Sequence, residues 1–361
     1  MPRPIQARID CAALRHNYLV AKNRVAATSS KAWAVVKADA YGHGLLRTAA
    51  ALADVVDGFA LLDLEAAVAL RDAGYRQPIL LLEGFFDSSE LALIDQHRLW
   101  CVVHAPWQLA IIEQARLQQP LNVWLKLDSG MHRVGLHAAE YAAAYRRLKA
   151  CGQVGEVVLM SHLARADELD CSRTEEQLAL FNQARSGLPG AISLCNSPAI
   201  LGWPQLPSDW VRPGIMLYGA TPFAGAQPQA AQLRPVMTLE SRIISVRELP
   251  AGEPVGYGAR FVCPRATRIG VVAMGYADGY PRHAPDGTPI RVDGQPARLA
   301  GRVSMDMLCV DISDLPQAGL GSRVELWGGA VAASEVAQLS GSIPYQLFCN
   351  LKRVPRVYCG V

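Results

Sequence analysis

Short apolar segments alternate with helix-like stretches along the first two thirds of the chain, and this alternation most constrains the fold. Eight such segments occur, at Trp33–Ala38, Gly58–Leu62, Pro78–Glu83, Leu99–His104, Asn122–Leu127, Glu156–His162, Ile192–Asn196 and Val211–Tyr218. Strands that are apolar on both faces and alternate with helices are typical of a parallel sheet. Eight units predict an α/β fold, a closed (β/α)8 barrel of the TIM type. An open doubly wound sheet is the alternative, which the lack of GxGxxG after the first strand disfavours.

The pattern changes after about Arg234, where helical periodicity largely disappears. Val-, Ile- and Gly-rich runs with turns follow, such as VMTLESRIISVREL, RIGVVAMGYADGY and GSRVELWG. Runs of this kind predict a mostly antiparallel β domain. We therefore predict a barrel over residues 11–233 and a second domain built from residues 1–10 and 234–361.

Composition excludes several classes of protein. The 361 residues suffice for two domains, and a net charge of +3 without a basic block gives no support for nucleic-acid binding. The N-terminus lacks an apolar signal core and no run of 18 or more apolar residues occurs, so we expect a soluble, cytoplasmic protein without a membrane partner. Nine cysteines without a CxxC pair fit neither a disulfide framework nor a zinc site, so no metal is expected.

Reactive residues of such a barrel lie at the carboxyl ends of its strands, where the βα loops converge on one mouth. This rule selects polar residues near the ends of four of the segments, together with Arg212 in the region of the eighth: Lys37, Lys126 with Arg133, His162, Asn196 with Ser197, and Arg212. A partly buried lysine has a lowered pKa and readily forms a Schiff base. From position alone, a solvated lysine at a strand end is the favoured interpretation of Lys37.

The segment around Lys37, VVKADAYGHG, resembles the cofactor-lysine signature of alanine racemases. Further segments resemble that family in the same order along almost the whole chain: LKLDSGMHRVG, MSHLARAD, NSPAIL, VRPGIMLYG, PVGYGARF, VAMGYADGYPR, GRVSMDM and SIPYQLFCNLKRVPR. The resemblance implies a pyridoxal 5'-phosphate barrel followed by a β domain, working as a homodimer. It also implies a racemase that interconverts L-alanine and D-alanine.

The resemblance implies two bases. Lys37 becomes the Schiff-base lysine and the base for the D enantiomer, and Tyr257, contributed across the dimer interface, becomes the base for the L enantiomer. Racemisation needs two such groups, because one must take the proton from one face of a planar carbon and another must return it from the opposite face. A chain from Tyr257 through His162 to Arg212 is implied as well.

Other implied roles concern the cofactor and the substrate. Arg212 faces the pyridine nitrogen, and because arginine rarely loses its proton, that nitrogen should stay unprotonated. The resemblance places further residues against the cofactor, chiefly its phosphate: Tyr41, His162, Asn196, Ser197, Gly214, Ile215 and Tyr345. Arg133 and Met305 hold the substrate, and Lys126 carries a carbamate in some relatives. The entrance or its surroundings are assigned to Asp167, Tyr276, Arg282 and Asp306.

Several alternatives stay open at this point. Decarboxylases of basic amino acids share the two-domain plan and the cofactor, and a racemase of broader or different substrate preference would share these motifs. A non-enzymatic cofactor-binding barrel is the third alternative, although it would not explain the β domain or Tyr257. Cys195 departs from the pattern expected beside Asn196; if its thiol faced the cofactor, thiol reagents would inhibit the enzyme. A biosynthetic and a catabolic role are both compatible with the sequence.

Overall fold

The computed structural model describes residues 3–25, 30–225 and 227–360. Its first sheet has eight parallel strands: β2 (Lys31–Val35), β3 (Gly58–Leu61), β4 (Ile79–Leu81), β5 (Trp100–Val103), β6 (Leu121–Lys126), β7 (Val154–Met160), β8 (Ile192–Ser193) and β9 (Trp210–Val211). Strand β9 pairs with β2, and a parallel bridge between Asn196 and Arg212 joins the β8 and β9 ends, which closes a barrel.

Helices surround this barrel. They are α1 (Cys11–Arg24), α3 (Leu45–Leu52), α4 (Leu64–Asp72), α5 (Glu90–Gln96), α6 (Pro106–Gln114), α7 (Ala138–Ala150), α8 (Arg173–Ala184) and α9 (Ser197–Gly202), with a short turn α2 (Lys37–Tyr41) after the first barrel strand. None of the helices within the described ranges is long and apolar enough to cross a membrane.

Four tryptophans from strands β2, β5, β6 and β9 fill one layer of the barrel. The Trp33 ring stacks on Trp210 at 4.4 Å and meets Trp100 and Trp124 edge to face. Room for Trp33 depends on Gly58, where a Cβ atom would lie 2.3 Å from the indole ring. The apolar residues that predicted the strands therefore pack inward as the barrel core.

The second sheet also has eight strands, in the order β13-β16-β15-β14-β17-β10-β1-β18. These are β1 (Gln6–Asp10), β10 (Met237–Leu249), β13 (Thr267–Val272), β14 (Pro289–Val292), β15 (Gln295–Leu299), β16 (Leu308–Asp311), β17 (Arg323–Trp327) and β18 (Arg356–Cys359). Only the β1–β18 pair in this sheet is parallel. A separate hairpin joins β11 (Pro254–Val255) to β12 (Phe261–Val262), and two helices, α10 (Ala333–Leu339) and α11 (Pro344–Cys349), complete the unit.

The predicted fold class, a TIM-like barrel followed by a mostly antiparallel β domain, is confirmed. All eight predicted barrel segments extend one to seven residues past the observed strand ends, and the first and the last of them show the physical reason. The first barrel strand stops at Val35, because the chain enters a left-handed turn after Lys37. The last one stops at Val211, since Pro213 lacks the N–H that a strand needs and residues 215–218 form a 3-10 helix instead.

Candidate active site

A cavity of about 580 Å³ opens at the carboxyl ends of the barrel strands. Twelve of the residues selected from the sequence line it together: Lys37, Tyr41, Lys126, Arg133, His162, Asp167, Asn196, Ser197, Arg212, Gly214, Ile215 and Tyr345. The barrel scaffold thus gathers side chains that are up to about three hundred residues apart in the sequence. A groove of about 740 Å³ lies at the opposite, amino-terminal end of the strands. The Arg71 side chain that lines this groove already donates hydrogen bonds to backbone carbonyls.

Lys37 begins the turn that follows β2. Its side chain is partly buried in the cavity, and burial lowers the pKa of its amine; the nearby Arg133 guanidinium lowers it further. Both effects enlarge the fraction of neutral amine near pH 7. A neutral amine is the form that attacks an aldehyde or accepts a proton.

Arg212 and His162 form a polar pair in the wall of the cavity. The Arg212 guanidinium is only 4% exposed and donates to Ser161 O (2.8 Å), Leu194 O (3.2 Å) and Ser193 Oγ. Burial lowers its pKa to about 10, so it keeps its charge at neutral pH. Burial and the Arg212 charge push the pKa of His162 well below its usual range, so His162 is neutral and its Nδ1 can accept from Arg212 Nη2 at 3.4 Å.

Lys126 lies at the end of β6, with 6% of its surface exposed. Burial, together with the charges of Arg212 and Arg133, lowers its pKa to about 8. Glu83 also lines the cavity, and its negative charge counteracts part of this repulsion. An amine with a pKa near 8 is partly neutral at physiological pH, which is the state that reacts with carbon dioxide to form a carbamate.

Gly214 and Ser197 bring backbone and hydroxyl groups close to Tyr41. The N–H of Gly214 donates to Ser197 Oγ at 2.8 Å, and a Cβ at position 214 would lie 2.8 Å from Tyr41 Oη. Tyr41 is fixed by stacking on Tyr218 at 4.8 Å, and the Tyr345 ring lies 5.9 Å away. Glycine therefore makes room for a cluster of phenol, hydroxyl and backbone N–H groups, which suits an anion such as a phosphate.

Five predicted site residues lie outside this cavity, all of them on the β domain: Tyr257, Tyr276, Arg282, Met305 and Asp306. Tyr257 follows β11 in a short turn and is 69% exposed, which is unusual for a large aromatic side chain. Met305 is 53% exposed. Tyr257, which the resemblance implies is one of the two bases, therefore does not line the cavity of its own chain.

Two cavity residues with titratable side chains, Glu83 and Cys349, were not selected from the sequence. Glu83 ends the third predicted strand, so the rule that selected Lys37 could have found it. Cys349 lies on α11, one helical turn after Tyr345, and that spacing was the available signal. Cys195, in contrast, is buried with its Sγ directed towards Leu206 O and does not line the cavity. In the described part of the chain, no cluster of His, Cys, Asp and Glu could hold a metal ion.

Comparison with known proteins gives a single family. Residues 9–222 match the family model "Alanine racemase, N-terminal domain" and residues 236–358 match "Alanine racemase, C-terminal domain". A relative from Pseudomonas aeruginosa, "Alanine racemase, catabolic", is 66% identical over 358 residues, which cover 99% of each chain. The biosynthetic alanine racemase of the same organism has a TM-score of 0.95 at 49% identity, with 99% of each chain covered. The alanine racemase of Bartonella henselae, solved with covalently bound pyridoxal phosphate, has a TM-score of 0.89 at 29% identity and covers 99% of this chain and 100% of its own.

Proposed function

The chain belongs to the alanine racemase family and interconverts L-alanine and D-alanine, and we propose that it does so with pyridoxal 5'-phosphate held at Lys37 and with Lys37 and Tyr257 as the two bases. The observation that carries this proposal is the partly buried Lys37 amine with its lowered pKa, which shares one cavity with an anion cradle and a buried arginine. A decarboxylase or a non-enzymatic barrel would not account for a full-length match to racemases.

The residues of the cavity fit this cofactor. The cradle of Tyr41, Ser197 and Gly214 would bind its phosphate, since their hydroxyl and N–H groups converge where a Cβ would not fit. Tyr345 would add a second phenol, because it lies beside Tyr41. Two further sets of atoms near the cradle would complete it: the Asn196 side chain and the backbone of Ile215. When bound, pyridoxal phosphate would join the substrate amine and withdraw electrons from the α-carbon.

Arg212 would meet the ring nitrogen of the cofactor. Its guanidinium is fixed by three hydrogen bonds to Ser161, Ser193 and Leu194, so it cannot turn away. With a pKa of about 10 it stays protonated and can only donate a hydrogen bond. A ring nitrogen that accepts a hydrogen bond without taking the proton is a weaker electron sink, which disfavours side reactions such as transamination.

The two bases would act from opposite faces. Lys37 Nζ would take or return the proton on one face, because its lowered pKa leaves part of the amine neutral. Tyr257 Oη would act on the other face from the partner subunit of a homodimer. An exposed tyrosine that lies outside its own chain's cavity supports this arrangement, as does the exposed Met305 on the same domain.

Substrate binding would need a carboxylate partner. Arg133 lines the cavity near Lys37, and its forked guanidinium suits a carboxylate. Met305 would donate its backbone N–H from the partner. Other polar groups of the β domain would border the entrance opposite Asp167: Tyr276, Arg282 and Asp306.

Subunit mixing tests the two-base proposal. The Lys37→Ala and Tyr257→Ala proteins should each be inactive, and refolding them together should restore about a quarter of the wild-type activity, because half of the dimers carry one intact site in two. Activity is followed as loss of chirality and incorporation of deuterium at the α-carbon of L-alanine in deuterated water. If the heterodimers stay inactive, Tyr257 either acts in the site of its own subunit or takes no part in the reaction.

A catabolic role is favoured over a biosynthetic one. This chain is 66% identical to the alanine racemase of Pseudomonas aeruginosa named as catabolic but 49% identical to the biosynthetic one of the same organism. Deleting the gene should therefore impair growth on alanine as the carbon source more than growth on other carbon sources. A requirement for added D-alanine on every carbon source would contradict this role.

A further inference from the structure

The turn that carries Lys37 and Tyr41 has an unfavourable backbone. Residues Ala38, Asp39, Ala40 and Tyr41 all have positive φ angles of 52–54°. Hydrogen bonds within the turn run from the N–H of Ala40 to Val36 O and from the N–H of Gly42 to Ala38 O. A left-handed turn of consecutive non-glycine residues is rare, because each Cβ crowds the following carbonyl. Something outside the turn must therefore hold it.

One support comes from His43, which lies two residues after Tyr41. Burial lowers its pKa to about 4, so the ring is neutral, and its Nδ1–H donates to Tyr41 O (2.9 Å) and Ala40 O (3.1 Å). The turn also packs closely against α11, since a Cβ at Gly42 would lie 2.2 Å from Phe348 O.

The other support comes from the β domain. Arg356 on β18 pairs with the Asp39 carboxylate at 2.6 Å, and the same carboxylate accepts from the N–H of Leu45 at 2.7 Å. Tyr358 on the same strand donates from Oη to His43 O at 3.0 Å. A Cβ at Gly44 would lie 2.1 Å from Tyr358 Oη, so strand and turn are in direct contact.

We propose that Arg356 and Tyr358, two residues of edge strand β18 that do not line the cavity, are positioning residues that hold the left-handed turn and thereby aim the Lys37 amine and the Tyr41 phenol at the cofactor. The inference rests on the proposed function for the identity of the cofactor. Strand β18 contacts the Asp39 carboxylate inside the strained segment and the His43 carbonyl two residues beyond it. It is also hydrogen-bonded to β1, and through β1 to the sheet of the second domain. The β domain would thus fix the barrel's reactive lysine, in addition to presenting Tyr257.

Tyr358→Phe and Arg356→Met should each weaken cofactor binding and loosen the turn. Loss of a hydrogen bond or ion pair should let the turn relax, so the dissociation constant of pyridoxal phosphate from the apo-protein should rise about fivefold for each variant. Amide exchange, measured by mass spectrometry on peptides covering residues 38–45, should speed up in the apo-protein as well. The kcat should fall while KM for alanine stays nearly constant, since Arg133 is untouched.

Matched controls separate positioning from general loss of stability. Tyr145→Phe removes a similar phenol-to-carbonyl bond, from Tyr145 Oη to Pro189 O on the far side of the barrel, and Arg265→Met removes an exposed ion pair with Asp314 in the β domain. Neither should change cofactor affinity or the exchange of residues 38–45. Arg356→Lys keeps the charge and should recover most of the affinity.

Two results would overturn the inference. The first is a Tyr358→Phe, Arg356→Met double variant whose cofactor affinity and local exchange stay within about twofold of the wild type, less than loss of one hydrogen bond should produce. The second is an equal change in the two control variants. Failure of the proposed function would look different: the wild-type protein itself would not bind pyridoxal phosphate, while exchange in the apo-protein would still report on the turn.

Discussion

Replacing Gly214 by alanine should weaken cofactor binding without unfolding the barrel. The new Cβ would lie 2.8 Å from Tyr41 Oη, whereas ordinary contacts begin near 3.4 Å, so the phenol must move by the difference of 0.6 Å. Tyr41 cannot move freely, because it is 7% exposed and stacked on Tyr218. Overpacking of this kind costs about 1–3 kcal/mol. If that cost falls on the cradle, the dissociation constant for pyridoxal phosphate should rise by about 5- to 150-fold.

Titration of the apo-protein with pyridoxal phosphate, followed by quenching of tryptophan fluorescence, measures this constant. Gly152→Ala is the matched control, because a Cβ there meets nothing within 4 Å. Tyr41→Phe removes the oxygen with which the new Cβ collides, so Gly214→Ala should cost much less in that background. An affinity for Gly214→Ala within twofold of the wild type, or an equal penalty in both backgrounds, would refute the steric argument.

Three further outcomes are expected. Gly58→Ala should lower the free energy of unfolding by about 1–3 kcal/mol in urea titrations, since its Cβ would lie 2.3 Å from Trp33; an unchanged midpoint would contradict this. Thiol reagents should label Cys349 and not Cys195, and bound cofactor should slow the labelling, as peptide mass mapping can check. Lys126→Met should stabilise the apo-protein by up to about 3 kcal/mol at pH 7, because burial holds the lysine pKa near 8 rather than 10.5. Wild-type stability should rise with pH between those two values as the unfolded chain loses its extra proton, so the gain of the variant should vanish above them.

The barrel could be predicted because its strands are buried on both faces. Segments such as Gly58–Leu61 and Leu121–Lys126 carry apolar runs between turn signals, and these runs do not depend on distant contacts. Strand ends were harder to predict. The turn after Lys37 contains no glycine between Ala38 and Tyr41, so nothing local indicates a left-handed backbone. Contacts with Arg356 and Tyr358, more than three hundred residues away, stabilise it instead.

The site residues likewise fall into two groups, those whose place could be predicted from their position in the sequence and those whose place could not. The position of Lys37 or His162 near a strand end already places it at the mouth, so the sequence rule and the cavity agree. Tyr257 and Met305 follow no such rule, because they lie on exposed turns of the β domain. Their selection depended entirely on resemblance to a family, and the proposed place of both opposite Lys37 would require a second copy of the chain.

The charges of the cavity link its stability to its function. Lys37, Lys126, Arg133 and Arg212 converge there, and within the described residues the cavity offers Glu83 and Asp167 as its carboxylates. Burial and mutual repulsion lower the pKa values of both lysines, so the cluster of positive charge is by itself electrostatically unfavourable. The phosphate of the proposed cofactor and an amino-acid carboxylate would supply negative charge, so binding should relieve this repulsion and stabilise the fold. Charges that destabilise the empty barrel are therefore the same ones that would bind the cofactor and leave Lys37 able to exchange a proton.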